Sequence, residues 1–325
     1  MRIGRGKRYF KKGYAHLHAR KEVRFRFIYQ NKNDHTVVKM CEVLNVSTSG
    51  YYAWELRLDK EETERQRWRR HLDEQIRYHF HDNLGTYGSP RIYQKLIEVD
   101  DIQVSLKTVT NRMREMGLYA TPPTRYIQTT DSDHQQLVFK NELNRKFKPN
   151  EPNRVWATDI TYIHTGEGFL YLNPVLDLFS RRVISYRMGD RMDAELPLKA
   201  LKEALEIRQP AEGWIHHSDQ GSVYCSKKYT EALKGAKATI SMSRKATPYD
   251  NACVESFFAS LKKEYLYKFV FKTKAEAMGA IQFYIQFYNR KRIHSTLEYT
   301  TPIEYEKAYK EAQRLNATEE KSPSA

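Results

Sequence analysis

At 325 residues, with 40% apolar side chains, 23 Tyr and 14 Phe, the chain has material for two or three folded domains and is excluded from the disordered class. A net charge of +15 implies a polyanionic partner. No stretch approaches 18 apolar residues, and Cys41, Cys225 and Cys253 are too scattered for a zinc site or a disulfide framework, so a soluble, cytoplasmic protein without a membrane partner is expected.

Residues 1–35 form a basic arm. The first 30 residues hold ten Lys or Arg against Glu22, or +9 of the +15, with Arg2, Arg5, Lys7, Arg8, Lys11 and Lys12 at its start. Such a segment serves equally as a nucleic-acid arm and as a solvated, disordered start.

Residues 36–120 read as an all-α region in two groups. Val37, Met40, Cys41 and Leu44 share a helical face, Asn45-Val46-Ser47 breaks it, and a short helix over 48–56 follows at helix-turn-helix spacing. A charged helix over 61–80 leads to Gly85-Thr86-Tyr87-Gly88. Ser89-Pro90 then opens a helix to Leu96, and a last helix runs from Ser105 to Gly117. That last helix exposes Lys107, Asn111, Arg112 and Arg114 above Val109, Met113 and Met116. The mixture suits a DNA-reading helix, and it also suits the wet face of a structural bundle.

Residues 121–150, with Pro122-Pro123 and Lys146-Phe147-Lys148-Pro149, read as a linker. Strands follow over 155–164, 169–176 and 183–188, then a helix over 194–207 and a strand over 214–217 that ends at Asp219. A helix over 227–233, a strand over 239–242 and a long helix over 252–267 complete residues 151–270. The order β-β-β-α-β-α-β-α is that of an α/β, RNase H-like core with a mixed five-stranded sheet. A helix over 275–289 and a basic extension occupy 271–312, and residues 313–325 read as a disordered tail.

Three carboxylates draw attention by their surroundings. Asp159 falls inside Val155-Trp156-Ala157-Thr158-Asp159-Ile160-Thr161-Tyr162, where a charge is costly unless paired or metal-bound. Asp219 sits where a buried strand runs into Gln220-Gly221, and alone it reads more readily as a turn former. Glu255, Ala259 and Lys262 share a helix flank opposite Val254, Phe257, Phe258 and Leu261, which alone is an ordinary solvated face. With metal below and phosphate above, the same flank could line a catalytic groove. Asp177 fits a hairpin turn better than a site. His217 either orients Asp219 or is simply packed, and Arg290, Lys291, Arg292 and His294 form a basic run suited to phosphate.

Order and spacing bind these pieces together. Asp159 and Asp219 are 60 positions apart, and 35 residues separate Asp219 from Glu255. The words are Trp156-Ala157-Thr158-Asp159-Ile160-Thr161-Tyr162, Leu176-Asp177-Leu178-Phe179-Ser180-Arg181 and His217-Ser218-Asp219-Gln220-Gly221-Ser222-Val223-Tyr224. Asp250-Asn251-Ala252 with Glu255-Ser256-Phe257-Phe258 follows, then Tyr288-Asn289-Arg290 with His294-Ser295-Thr296-Leu297 and Thr301-Pro302. Ser49-Gly50-Tyr51-Tyr52 and Tyr87-Gly88-Ser89-Pro90-Arg91-Ile92 precede them. Together, over residues 24–306, the chain resembles the second-frame (OrfB) transposases of the insertion sequence 3 family, DDE recombinases related to retroviral integrases.

The resemblance implies a DNA transposase that binds insertion-element ends and performs metal-dependent phosphodiester cleavage and strand transfer. It makes Asp159, Asp219 and Glu255 the catalytic ligands of Mg2+ or Mn2+, two ions in all, and Lys262 a DNA contact. Lys107, Asn111, Arg112, Arg290 and Arg292 are the other expected DNA contacts. Partners implied are double-stranded DNA of element ends and target, further copies of the chain, and the first-frame protein, whose leucine heptads this chain lacks. Gln220 and Val223 depart from the family's more usual basic and polar residues. The rival functions are an RNase H-like nuclease that does not join, and a non-catalytic DNA-binding regulator.

Overall fold

The computed structural model describes residues 20–58, 62–120, 137–245 and 247–319; the basic cluster at 2–12, Pro122-Pro123, Asp131-Ser132-Asp133 and residues 320–325 lie outside the described residues. The chain divides into two units, residues 1–71 and 72–325.

In the first unit α1 (Lys21–Asn31), α2 (Val37–Val43) and α3 (Thr48–Leu58) close around Phe25, Ile28, Met40, Cys41, Leu44 and Tyr51, all buried. The break between α2 and α3 is where the sequence places it. Asn45 takes φ 50, a left-handed conformation that Asn tolerates. Val46 N–H then donates to the Cys41 carbonyl at 3.0 Å and closes the turn.

α4 (Glu64–Asp82) begins in the first unit and ends in the second, where α5 (Ser89–Glu98) and α6 (Leu106–Glu115) follow. Ser105 Oγ caps α6 by accepting from Thr108 N–H at 3.1 Å, and Gly117, at φ 69, turns the chain away after it. The apolar stripes of these helices, including Leu72, Ile76, Ile92, Leu96, Val109 and Met113, enclose Tyr87 and Ile293. Tyr87 fastens the two segments. Its hydroxyl donates to the Lys291 carbonyl at 3.0 Å and accepts from Ile293 N–H at 2.9 Å.

The remainder of the second unit is a mixed sheet with helices on both faces, the RNase H-like architecture anticipated. It has six strands: β1 (Val155–Thr158), β2 (Thr161–Thr165), β3 (Gly168–Asp177), β4 (Val183–Gly189), β5 (Ile215–Ser218) and β6 (Thr239–Met242). The sixth arises because the strand expected over 155–164 is cut in two. β1 and β2 lie along the same edge of β3, Thr158 opposite Val175 and Thr161 opposite Leu172, with Asp159 and Ile160 in the gap. Pro174 faces that gap and brings no N–H to it, so the ladder lapses there. β4 pairs with the other edge of β3, while β5 and β6 continue from β1 in parallel.

One sheet face packs on α10 (Ala252–Glu264) and α11 (Lys274–Arg290) through Leu170, Leu172, Val254, Phe257, Leu261 and Ile281. The other packs on α7 (Glu195–Arg208) and α9 (Lys227–Gly235), with Trp156 and Trp214 ring to ring at 4.5 Å. Between β5 and α9 lies a single-turn helix, α8 (Ser222–Cys225), which the sequence did not signal.

α12 (Pro302–Glu319) continues beyond Gln313, into the stretch whose polarity reads as disordered. Its first turns are anchored: Glu306, buried, accepts from Ser180 Oγ at 2.7 Å, Arg182 Nη1 at 2.8 Å and Arg208 Nη2 at 2.7 Å. Phe179 packs against Tyr305 and Tyr309 at 5.0 Å each. The exposed remainder follows on the helix propensity of Lys, Glu, Ala, Gln and Arg. Among the described residues no helix is long and apolar enough to cross a membrane.

Candidate active site

The pairing of β1 with β5 fixes the position of the two aspartates. In that parallel pair Ala157 lies beside His217, so Asp159 and Asp219, each two residues further on, leave the sheet side by side. Each is then held by its own backbone. Asp159 Oδ1 accepts from Ile160 N–H at 2.7 Å, and Asp219 Oδ1 accepts from Gly221 N–H at 2.9 Å. A side chain at position 221 would place its Cβ 2.9 Å from that same Asp219 oxygen and push the carboxylate out of this position.

Beneath the gap lies a buried polar group that the sequence did not indicate. Asn173 Nδ2 is shared among the Asp159 carbonyl at 2.9 Å, Thr158 Oγ1 at 2.9 Å and the Tyr224 hydroxyl at 2.7 Å. The asparagine replaces the lapsed ladder and links the Asp159 backbone to α8, just after Asp219.

Glu255 comes from α10, whose start is fixed twice. Asn251 Nδ2 donates to the Thr158 carbonyl at 3.2 Å, tying the helix to the end of β1. Glu255 is four residues on and shares that helix face. Asp250, fully buried, accepts from Asn141 Nδ2 at 2.9 Å, Arg145 Nε at 2.8 Å, and Arg244 Nε and Nη2 at 2.8 and 2.9 Å. The Arg244 hydrogen bonds hold its carboxyl far below the usual range. Two turns beyond Glu255, Lys262 Nζ stands 5.3 Å from the centre of the Tyr162 ring on β2.

These groups sense one another. Burial raises the Asp159 carboxyl well above its ordinary pKa, and the charges of Asp219 and Glu255 add to the rise, against the Ile160 N–H and the Lys262 ammonium. Burial also raises the Tyr224 hydroxyl, reinforced by Asp159 and Asp219. Glu255 is the outermost of the three: the residue is exposed, and its carboxyl is raised only by the partial burial of its position. Lys262 is lowered by burial, with Asp159 opposing. Among the described residues no three His, Cys, Asp or Glu side chains stand as a ready-made ion cage.

Comparison with known proteins identifies the family. Residues 149–248 and 236–302 match integrase core domain families, and residues 67–126 match an HTH-like domain. The chain is 37% identical over 285 residues to the transposase InsF for insertion sequence IS3A of Escherichia coli (strain K12), covering 87% of this chain and 98% of the relative. It is 40% identical over 237 residues to the transposase for insertion sequence element IS904 of Lactococcus lactis subsp. lactis, covering 73% and 93%. It is 38% identical over 271 residues to the insertion element IS600 uncharacterized 31 kDa protein of Shigella sonnei, covering 83% and 98%. The chain belongs to the insertion sequence 3 family of transposases.

The transposase's matched HTH-like stretch contains α5 and α6, the second being the helix expected to read DNA. Lys107 and Asn111 are exposed on α6. Arg112 is not presented outward in the same way. Its Nε donates to Asp73 Oδ1 at 2.7 Å, and it also pairs with Glu115. In the basic run Arg290 is exposed, whereas Arg292 is buried, donating to Glu264 at 2.7 and 2.6 Å. Arg292 thus departs from the DNA contact expected of it in the basic run: its partner, 28 residues earlier, could not be seen from local composition.

Two further residues are resolved. His217, buried below Asp219, contacts Ser241 Oγ through Nδ1 at 2.9 Å and Ser243 Oγ through Nε2 at 3.1 Å. Burial lowers it to about 4, and with both nitrogens so occupied it is a packed, neutral histidine. Asp177 accepts from Asn153 N–H at 2.8 Å and Phe179 N–H at 2.9 Å, the turn role expected.

Proposed function

We propose that Asp159, Asp219 and Glu255 are the catalytic carboxylates of this DNA transposase and hold divalent cations, Mg2+ or Mn2+, two in all. The observation that carries this is the strand register that sets Asp159 beside Asp219, with α10 tied by Asn251 to the same strand end. Burial first, and the neighbouring Asp219 charge after it, raise the Asp159 carboxyl, and a hard cation with oxygen preference relieves both costs. The donor set fits such an ion. When bound, a metal pair supplies an activated nucleophile and charge stabilisation at the leaving oxygen.

In this reading Asp159 and Asp219 form the rigid side of the site, because hydrogen bonds to Ile160 and Gly221 fix their carboxylates. Glu255 closes it from the helix. Lys262 places a cation where the phosphate backbone passes, one turn-pair above Glu255. Both cutting at the element end and joining to target use the same carboxylates, with no covalent protein intermediate.

DNA is held elsewhere by Lys107 and Asn111 on α6 and by Arg290, while the arm at 1–35 adds non-specific attraction. The helical region at 36–120, linker at 121–150, core at 151–270 and extension at 271–312 would divide recognition from chemistry. Two ends must be held at once, so the chain works as a homo-oligomer, alone or with the first-frame protein, on DNA in the bacterial cytoplasm.

The test is cleavage and joining of labelled element ends in Mg2+ by Asp159→Asn and Asp219→Asn, with and without the first-frame protein. Both variants lose about a hundredfold or more in rate while binding the ends normally. Normal rates in either would overturn the assignment.

A further inference from the structure

The segment over 137–148, expected to be a linker, runs alongside the edge strand β6 and builds a second site beside the first. Met242 N–H donates to the Lys140 carbonyl at 3.2 Å, and Leu143 N–H donates to Ser241 Oγ at 3.0 Å. Between this segment and the end of β5 lies a cleft of about 510 Å³ lined by Phe139, Lys140, Asn144, Gln220, Met242 and Arg244, among others. Gln220, one wall of the cleft, directly follows Asp219 and donates to the Ser243 carbonyl at 2.9 Å, so the cleft lies on the β6 side of the strand end that carries Asp219.

From this geometry we infer that the cleft is a binding subsite for one unpaired nucleotide of the DNA strand passing through the active site. The volume suits a small ligand, within the range of about 300–1,000 Å³, and not a duplex. Half-buried Phe139 offers the apolar surface for a base face, as single-strand binders do, with Met242 buried behind it as the floor of the cleft. Asn144 and Gln220 bring amide groups suited to base edges. Lys140 is exposed at the rim, and Arg244 is oriented by its two bonds to Asp250. None of the lining residues is acidic. Arg145, Lys146 and Lys148 continue the basic track along the segment, so a phosphate chain leaving the cleft meets cations rather than open solvent.

The cleft bears on which strand the proposed carboxylates act, and in that sense rests on their assignment; its test does not. The full-length protein is mixed in EDTA with a fluorescent twelve-residue oligothymidylate, and with a twelve-residue abasic strand of the same charge. Wild type prefers the base-bearing strand by about tenfold. Phe139→Ala abolishes that preference and leaves abasic binding unchanged, whereas Lys140→Ala weakens both strands alike. A 4-thiothymidine oligonucleotide cross-links to the peptide containing Phe139. Cross-links confined to other peptides, or a full base preference in a Phe139→Ala protein that melts like wild type, would overturn the inference. Since no metal is present, neither outcome depends on the role of Asp159, Asp219 or Glu255.

Discussion

Asn251 donates its side-chain amide to the carbonyl of Thr158, 93 residues away, across 3.2 Å of buried space. That bond joins the first element of the core to the helix that carries Glu255. Asn251→Ala removes it and leaves a buried carbonyl short of a donor, at a cost of about 1–3 kcal/mol. Strand cleavage is expected to fall more than stability or DNA binding does. Parallel measurement of melting, end binding and cleavage decides it: equal loss in all three would reduce Asn251 to a packing residue.

Glu306 holds α12 to the core through Arg208, whose side chain is 7% exposed. Glu306→Ala leaves that guanidinium buried and unpaired, a change worth about 3–5 kcal/mol. Glu306→Gln keeps some hydrogen bonds and costs less. Chemical denaturation of the two variants gives the ranking, and near-wild-type stability of Glu306→Ala would refute it.

Arg290 and Arg292 stand two residues apart with opposite expectations. Arg292→Ala takes two hydrogen bonds from Glu264 and leaves it the Tyr284 hydroxyl and a longer pairing with Arg91, so it destabilises by about 1–3 kcal/mol. Arg290→Ala should stay within about 0.5 kcal/mol of wild type. Its effect belongs in DNA affinity, with a shallower dependence on salt concentration. Salt-titrated binding and denaturation, run on both proteins, separate the two roles.

Asp177 sets a pH dependence of its own. Burial pushes its carboxyl to about 6, above the ordinary aspartate value of about 3.9. The folded state therefore takes up a proton more readily than the unfolded chain. The stability linked to this group is complete below about pH 4 and is lost as pH rises toward 6. Asp177→Asn, always neutral, lacks that loss. The stability of wild type minus that of the variant should fall between pH 4 and 6 and level off above; a flat difference would contradict the shift.

The order of elements was legible because each strand and helix carries its own period, and Asp159 was conspicuous as a charge among Trp156, Thr158 and Ile160. The strand break at Asp159 was not, because its cause, Pro174, sits on another strand. Asn173, Asp250 and Asn251 stayed obscure for the same reason: their partners are distant in sequence, and a polar residue gives no local sign of what it will bond. Arg112 and Arg292 looked available for DNA because Asp73 and Glu264 lie outside any local window. α12 was not anticipated at all: its first turns are held by distant Ser180, Arg182 and Arg208, and beyond the anchor at Glu306 only propensity supports it.

Tyr87 has a consequence for distance. By bridging Lys291 and Ile293, it places α5 and α6 in the same unit as the carboxylates. If α5 and α6 read DNA and the carboxylates cut it, as proposed, reading and cutting belong to one compact unit, and the offset between a bound half-site and the attacked phosphate is set by the protein. One base pair inserted between them turns that phosphate by about 35° around the duplex axis, out of the jaws. On that proposal, an element end is defined by spacing as much as by its letters.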